Sequence, residues 1–453
     1  MIGGSAEGAP PQARACASVP SRSSGTARPH ASPLETHTTM SSPTPAPEHR
    51  RDHRNEHPAH ERHPHYSRAT LWLLATIAGI SVANIYFNQP LLDDFRASFP
   101  GSAWLIGAVP AATQLGYALG MFFLAPLGDR FDRRLLILIQ LAALGIALVV
   151  AMAAPTLAVL IAASLAIGVV ATIAQQAVPF AAELAPAAER GHAVGTVMSG
   201  LLLGILLART VSGIVAQYFG WRAVFGASVV ATIVLAVVVI ARLPKSRPTS
   251  TLSYTKLLGS MWHLVAEHRG LREASLTGGA MFAAFSIFWS VLTLLLAGEP
   301  FHMGPQAAGL FGIVGAAGAL AAPLAGKSAD RRGPRAVISL SIALVAISFV
   351  VFAFSARSIA GLVIGVIVLD IGVQAAQISN QSRIYALAPE ARSRVNTVYM
   401  VAYFIGGALG SAVASLAWHA FGWTGVSLAG LAAVGLAAWS HRRRGVGAAS
   451  QAG

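Results

Sequence analysis

From residue 69 onward, long apolar runs alternate with short polar breaks along the chain. A helix needs about 20 residues to cross roughly 30 Å of hydrocarbon, because each residue adds only about 1.5 Å. Twelve runs have this length, and they cover residues 69–91, 102–126, 134–154, 156–182, 192–217, 221–243, 274–297, 305–326, 335–355, 358–386, 394–418 and 422–440. The pattern predicts an all-α membrane protein with twelve transmembrane helices in two pseudo-symmetric six-helix bundles.

The runs and breaks divide the chain into distinct parts. The first 68 residues are rich in Pro, Ser, His and Arg, and this composition predicts a disordered tail because it cannot bury enough apolar surface. The tail lacks the pattern of a signal peptide, so we expect the first span to act as the targeting signal. The longest break contains the amphipathic stretch YTKLLGSMWHLVAEH, which predicts an interfacial helix. The predicted parts are a cytoplasmic tail (1–68), an N-terminal bundle (69–243), a cytoplasmic linker (244–273), a C-terminal bundle (274–441) and a second cytoplasmic tail (442–453).

Composition and charge support a membrane protein. The chain is 55% hydrophobic and 11% charged, whereas a soluble chain carries about 25% charged residues. Its net charge of +14 permits nucleic-acid binding, but 28 of the 32 Lys and Arg lie in the two tails, in the even-numbered breaks or at the span ends that border these breaks. Lys and Arg accumulate on the cytoplasmic side of membrane proteins. Their placement therefore predicts cytoplasmic termini and explains the positive charge without nucleic acid.

Three pairs of landmarks recur about 200 residues apart. LAPLGDRFDRR (124–134) resembles LAGKSADRRGPR (324–335), FGWRAV (219–224) resembles FGWTGV (421–426), and LAP closes spans 4 and 10. They indicate parallel repeats, which are typical of transporters that expose one site alternately to each side. AAPLAGKS (321–328) approximates a phosphate-binding loop, but it ends a membrane span instead of following a strand, so we expect no ATP binding.

On these motifs the chain resembles the major facilitator superfamily over residues 69 to about 441. The loop signature of that family is G-x-x-x-D-R-x-G-R-R/K, and the second loop matches it at Gly326, Asp330, Arg331, Gly333 and Arg335. The first loop keeps Asp129, Arg130, Arg133 and Arg134 but has Ala125 and Asp132 where the family has glycine.

Two further stretches resemble the twelve-span drug–proton antiporter branch, which includes sugar and nucleoside exporters. They are ANIYFNQPLL in span 1 and GTVMSGLLLGILLARTVSG in span 5. Many such antiporters carry G-x-x-x-G-P-x-x-G-G in span 5. Here Gly200 and Gly204 are kept, Ile205 replaces the proline, and Ala208 and Arg209 replace the closing glycines.

The charged loops predict a cytoplasmic gate. Asp129 and the arginines that follow can form charge-assisted hydrogen bonds to a neighbouring helix and so hold one conformation closed. The alternative is that the arginines only set the topology. The acids favour a gate, because a topology signal largely ignores Asp and Glu.

Two charged residues lie well inside predicted spans, namely Arg209 in span 5 and Asp370 in span 10. A charge at the bilayer centre costs about 2.5–3.5 kcal/mol on the insertion scale, and such residues usually have a function. Asp370 either carries protons or permanently pairs with Arg209. Arg209 could instead bind an anionic substrate, because guanidinium suits carboxylate and phosphate.

Polar side chains predict a substrate cavity around these charges. In LDIGVQAAQISNQ (369–381), three glutamines lie within about 40° of Asp370 on one helical face. The family resemblance implies that spans 1, 4, 7 and 10 surround the cavity. The predicted lining residues are Asn84, Asn88, Gln175, Gln176, Trp289, Gln374, Gln377, Gln381, Tyr399 and Tyr403. The alternative is that the amides bond neighbouring helices together.

We therefore expect a multi-pass transporter of the inner membrane that exports a small polar or amphipathic solute, such as a drug, sugar or nucleoside, against proton entry. Uptake or facilitated diffusion of an organic anion bound by Arg209 is an alternative, and a solute sensor that does not transport is another. No enzyme motif such as H-E-x-x-H or G-x-S-x-G is present. We expect a monomer in the lipid bilayer that uses the proton gradient and needs no cofactor, metal, ATP or nucleic acid.

Overall fold

The computed structural model describes residues 67–246, 253–315, 331, 333–388 and 391–443, and these residues form helices and turns without a β-strand. The predicted tail up to residue 66, Gly326, Asp330 and residues 444–453 lie outside the described residues. The helices are α1 (Arg68–Ala83), α2 (Leu92–Ser98), α3 (Ala108–Phe123), α4 (Arg133–Met152), α5 (Leu157–Val170), α6 (Ala174–Leu184), α7 (Arg190–Phe219), α8 (Trp221–Arg242), α9 (Tyr254–Glu267), α10 (Arg269–Trp289), α11 (Leu292–Ala297), α12 (residues 305–315), α13 (Pro334–Phe354), α14 (Ile359–Leu387) and α15 (Arg392–Arg442).

Nine helical segments within the described ranges are long and apolar enough to cross a membrane. One of them, α15, has 51 residues and contains both predicted spans 11 and 12. Predicted span 1 corresponds to the shorter helix α1 and the turns that follow it, and α12 is the described start of predicted span 8. The fold class is confirmed as an all-α membrane protein, and the count of twelve spans stays a prediction.

The repeated FGW landmarks have the same structural role in both halves. Gly220 separates α7 from α8 with a φ of 78°, and Gly422 interrupts α15 with a φ of 58°. Side chains other than glycine rarely adopt this left-handed backbone. The tryptophan after each glycine donates its indole N–H to another segment, Trp221 to Ser98 Oγ at 2.9 Å and Trp423 to Phe352 O at 2.7 Å.

The structure explains why the first loop motif has Asp132 where the second has a glycine. Gly333 in the second loop has a φ of 82° and precedes α13. Asp132 takes the corresponding place before α4 with a φ of −57°, and its carboxylate accepts a hydrogen bond from the Arg134 N–H at 2.9 Å. An N-terminal cap thus replaces the left-handed turn.

The helices pack as two halves. In the first half α1 packs on α7, α3 on α5 and α4 on α8; in the second half α10 packs on α15 and α13 on α14. Helix α3 also packs against α15, which joins the halves. The predicted linker helix forms as α9, with Leu257, Met261 and Leu264 buried and Trp262 exposed.

Candidate substrate cavity

A cavity of about 670 Å³ lies between the two halves. It extends from Arg209 and Asp370 to Asp129, Arg133 and Arg394 at the ends of their helices. Both halves and the linker helix α9 contribute to its wall. The wall combines amides with aromatic and sulfur-containing side chains, among them Tyr86, Gln175, Met198, Phe282, Phe285, Gln374, Gln377, Gln381, Met400 and Tyr403.

The halves are joined at the end opposite Asp129. The Thr293 hydroxyl on α11 donates to the Gln89 carbonyl at 3.0 Å. The Gly107 N–H donates to Ser415 Oγ at 3.3 Å. Gln114 on α3 lies between the halves, and its amide donates to Ser411 Oγ on α15 at 3.0 Å. The structure is therefore closed at this end and open towards Asp129.

Arg209 is held in a cage at the deep end of the cavity. It is 4% exposed, and its Nε donates to Gln89 Oε1 at 2.6 Å. Its guanidinium carbon lies 4.2 Å from the ring centre of Trp289, 4.8 Å from that of Tyr86 and 5.5 Å from that of Phe285. Its Nη2 has no hydrogen-bond partner among the described residues. These contacts hold the cation in place at the deep end of the cavity.

Asp370 lies in the wall of the same cavity and is 6% exposed. Within the described ranges, its Oδ2 accepts no hydrogen bond and no direct ion pair joins it to Arg209. Trp289, which packs on the Arg209 guanidinium, also lies near Asp370. Gly315 is next to both side chains, because a Cβ atom placed on it would be 3.0 Å from Asp370 Oδ2 and 3.2 Å from Trp289 Cζ2. The structure therefore brings the two predicted charges into one cavity without pairing them directly.

The polar stripe of α14 faces this cavity. The three glutamines that the sequence places on the face of Asp370 all line the cavity, namely Gln374, Gln377 and Gln381. The Tyr403 hydroxyl donates to Gln377 Oε1 at 3.3 Å. Gln175 also lines the cavity, so five of the ten predicted lining residues reach it in this conformation.

Three predicted amides bond helices together instead of lining the cavity. Asn84 Oδ1 accepts from the Ser228 hydroxyl at 2.6 Å, and Asn88 Nδ2 donates to Thr113 Oγ1 at 2.8 Å. Gln176 Nε2 donates at 3.0 Å to the carbonyl of the residue that follows α3. Their placement in the lining was wrong for this conformation, because each side chain points at a neighbouring helix.

Two predicted aromatic residues are also displaced from the lining. Trp289 is 2% exposed and packs behind the Arg209 guanidinium. Tyr399 is fully buried and packs against Gly278 and Tyr403. Trp289 thus lies between α10 and the Arg209 side chain, and Tyr399 fills space between α10 and α15.

The first loop motif ties together helices of the N-terminal half. Arg133 forms ion pairs with Asp129 at 2.9 Å and with Glu183 on α6 at 3.3 Å. The Arg134 guanidinium donates to the Ile240 carbonyl on α8 at 2.6 Å, while Arg130 is exposed. In the second copy Arg331, Gly333 and Arg335 are described. The bonds to a neighbouring helix are present, and their role as a gate stays a prediction.

Sequence reasoning missed three residues of the arginine cage. Tyr86 and Gln89 lie three residues apart in ANIYFNQPLL, and this helical spacing was the available signal. Phe285 lies four residues before Trp289 on α10. Their contact with Arg209 connects distant parts of the chain, which spacing within one helix does not reveal.

The described residues contain no group of three or more His, Cys, Asp or Glu side chains that could hold a metal ion. What they do contain is a helical membrane fold in two halves around a cavity with both polar and apolar lining, which is typical of a transporter of small solutes. The family model of the Major Facilitator Superfamily matches residues 71–269 and 274–451. The chain belongs to this superfamily.

Individual relatives agree with this membership. The transporter YgaY of Escherichia coli O157:H7 is 41% identical over 385 residues, which cover 84% of this chain and 96% of YgaY. The multidrug efflux pump LfrA of Mycolicibacterium smegmatis is 26% identical over 419 residues, which cover 78% of this chain and 80% of LfrA. The crystal structure of the nucleoside transporter NupG superposes with a TM-score of 0.66 over 82% of this chain and 97% of that chain at 14% identity, which shows a shared fold.

Proposed function

We propose that this membrane transporter exports a small polar or amphipathic solute in exchange for protons. The observation that carries the proposal is the Asp370 carboxylate, which lies buried in the cavity wall without a direct ion pair in the described structure. A carboxylate in such a place can gain and lose a proton as the cavity opens to one side and then the other. Arg209, Tyr86 and Tyr403 line the same cavity as Asp370.

The distribution of Lys and Arg supports the direction of export. By the positive-inside rule it favours a cytoplasmic location for the Asp129 end, and the cavity extends to that end. An exporter takes up its solute from this side. The similarity to LfrA, a multidrug efflux pump, is consistent with export.

The lining supports a solute with both polar and apolar parts. Amide groups such as those of Gln374 and Gln377 both donate and accept hydrogen bonds. Tyr86, Phe285 and Met400 offer apolar and polarizable surface in the same space. A cavity of about 670 Å³ also lies within the usual range for small-molecule sites.

The free Nη2 of Arg209 favours a second candidate, which is uptake or facilitated diffusion of an organic anion. A solute sensor that does not transport is a third. Flux into inverted membrane vesicles separates the three functions. The vesicles are energised with an imposed pH gradient, and sugars, nucleosides, amino acids and drugs are added one class at a time.

An exporter predicts solute accumulation that depends on the pH gradient, together with proton release detected by a pH-sensitive dye. A facilitator predicts equilibration that is the same with and without the gradient. A sensor predicts binding without flux. Gradient-independent flux or an absence of flux across the panel would overturn the proposal of proton-coupled export.

A further inference from the structure

The deep end of the cavity contains two opposite charges that do not satisfy each other. Arg209 is 4% exposed and Asp370 is 6% exposed, and both line the same space. Arg209 Nη2 and Asp370 Oδ2 each lack a hydrogen-bond partner among the described residues. A buried charged group without a partner is unfavourable. A ligand that bonds to both groups therefore removes the energetic cost of both unpaired charges.

The neighbours of the two charges keep them apart. Gln89 holds one edge of the Arg209 guanidinium at 2.6 Å, and the Trp289 ring covers it at 4.2 Å. Gly315 packs closely beside Asp370, because a Cβ atom there would be only 3.0 Å from Asp370 Oδ2. The guanidinium is thus fixed in orientation, and Asp370 faces the ligand from the cavity wall that it helps to form.

The charge of the pair selects among ligands. Arg209 and Asp370 together have no net charge, so a ligand with a single charge pairs with one residue and leaves the other buried and unpaired. A ligand that carries a carboxylate and an ammonium pairs with both residues. The site also remains neutral overall, which is favourable away from water.

We propose that the cavity binds zwitterionic solutes of the amino-acid type, with the carboxylate on Arg209 and the ammonium on Asp370. The aromatic wall of Tyr86, Phe282 and Phe285 then receives an apolar side chain. The inference rests on the proposed function, because it takes this cavity as the transport route. The Asp370 carboxylate then holds either the ammonium of the solute or a proton, which is the competition that exchange requires.

Binding to the detergent-purified full chain tests this inference without transport. Thermal-shift titrations compare L-phenylalanine and L-leucine with their methyl esters, which lack the carboxylate, and their N-acetyl forms, which lack the ammonium. We expect saturable binding of the zwitterions and a dissociation constant at least about tenfold higher for each blocked form, as the loss of one charged hydrogen bond predicts. Equal binding of zwitterions and blocked forms, or no saturable binding of the zwitterions, would overturn the inference.

Charge-removing variants assign each end of the ligand to its residue. Asp370→Asn is expected to abolish the preference for L-phenylalanine over its N-acetyl form. Arg209→Gln is expected to abolish the preference for L-phenylalanine over its methyl ester. Arg242→Gln, a control at an exposed arginine in the last turn of α8 outside the cavity, is expected to keep both preferences. A variant that is not monodisperse on size-exclusion chromatography is set aside, and the comparison of ligands on the unmodified chain still decides.

The vesicle assay separates failure of this inference from failure of the proposed function. Selective zwitterion binding without proton-driven flux would contradict the exporter and leave the binding site standing. Proton-driven flux of sugars or nucleosides, together with no zwitterion preference, would support the exporter and overturn the zwitterion site.

Discussion

At the scale of single residues, the cage around Arg209 fixes the position of a buried cation at the deep end of the cavity. The side chain is buried because Gln89 accepts from its Nε and three aromatic rings surround its guanidinium. Cation–π contacts of a desolvated guanidinium contribute about 2 kcal/mol in favourable cases. These contacts offset part of the cost of burying the charge, while Nη2 has no hydrogen-bond partner among the described residues.

Replacing Gln89 tests the cage. Gln89→Leu removes the only hydrogen-bond acceptor that Arg209 has among the described residues. We expect a loss of about 1.5–3 kcal/mol in the free energy of unfolding, typical of a hydrogen bond to a charged group, seen as a lower melting temperature in detergent. Gln217→Leu on exposed α7 surface is the control. An unchanged melting temperature for Gln89→Leu would show that Gln89 does not stabilise the cation.

Asp94 on α2 predicts a pH dependence outside the spans. Burial, and secondarily the charge of Asp93, raises the pKa of Asp94 from 3.8 to about 6. The folded protein therefore binds this proton more tightly than the unfolded chain, so stability falls as pH rises from about 4 to about 6. Melting temperatures across this window should fall for the natural chain, and Asp94→Asn should remove this component. The same slope in both proteins would contradict the prediction.

Sequence reasoning at this scale found Arg209 and Asp370 because charges inside apolar runs are costly and therefore conspicuous. It placed Asn84 and Asn88 in the cavity although they bond to α8 and α3. An amide on a helix can face either a cavity or a neighbouring helix. Periodicity gives the face of the helix but not what lies opposite that face, so only the packing of the helices decides.

At the scale of elements, close approach of backbones explains the glycines of α7. A Cβ atom at Gly204 would collide with the backbone of Gly79 on α1, whereas one at Gly195 would meet nothing within 4 Å. The span-5 pattern thus keeps the glycines that contact α1. Ile205, which stands where many such antiporters have a proline, lines the cavity.

A pair of matched substitutions tests this packing. Gly204→Val should separate α7 from α1 and lower the yield of monodisperse protein and its melting temperature, since overpacking typically costs about 1–3 kcal/mol. Gly195→Val on the same helix should change neither. Equal behaviour of the two variants would show that the α1–α7 contact does not require glycine at this position.

The runs of apolar residues predicted most spans but not their interruptions. Predicted span 7 is divided into α10 and α11 after Trp289, and the helix of predicted span 1 ends at Ala83. Both interruptions lie next to the arginine cage. Hydropathy is insensitive to such breaks because the residues in them are equally apolar. The FGW repeats, in contrast, marked both glycine turns.

At the scale of the whole molecule, the cavity is open at one end and closed at the other. Cysteine labelling tests this asymmetry, because the chain has one cysteine, Cys16, which a serine can replace. In that background Gln377→Cys in the cavity wall should react with an impermeant maleimide, and buried Ser411→Cys at the closed end should not. Faster labelling of Ser411→Cys would contradict the described conformation. Labelling of Gln377→Cys from inverted but not right-side-out vesicles would place the open end in the cytoplasm.

The central claim of proton coupling through Asp370 is tested most directly by transport in Asp370→Asn. Both proteins are reconstituted into liposomes with a transported solute at concentrations above the dissociation constant of each. If Asp370 carries the proton, Asp370→Asn should reduce accumulation driven by a pH gradient by about tenfold or more, which is the usual effect of removing a positioned proton carrier. The variant should keep the exchange of labelled for unlabelled solute, because this exchange needs no net proton movement. Unchanged gradient-driven accumulation in Asp370→Asn would contradict proton coupling through Asp370.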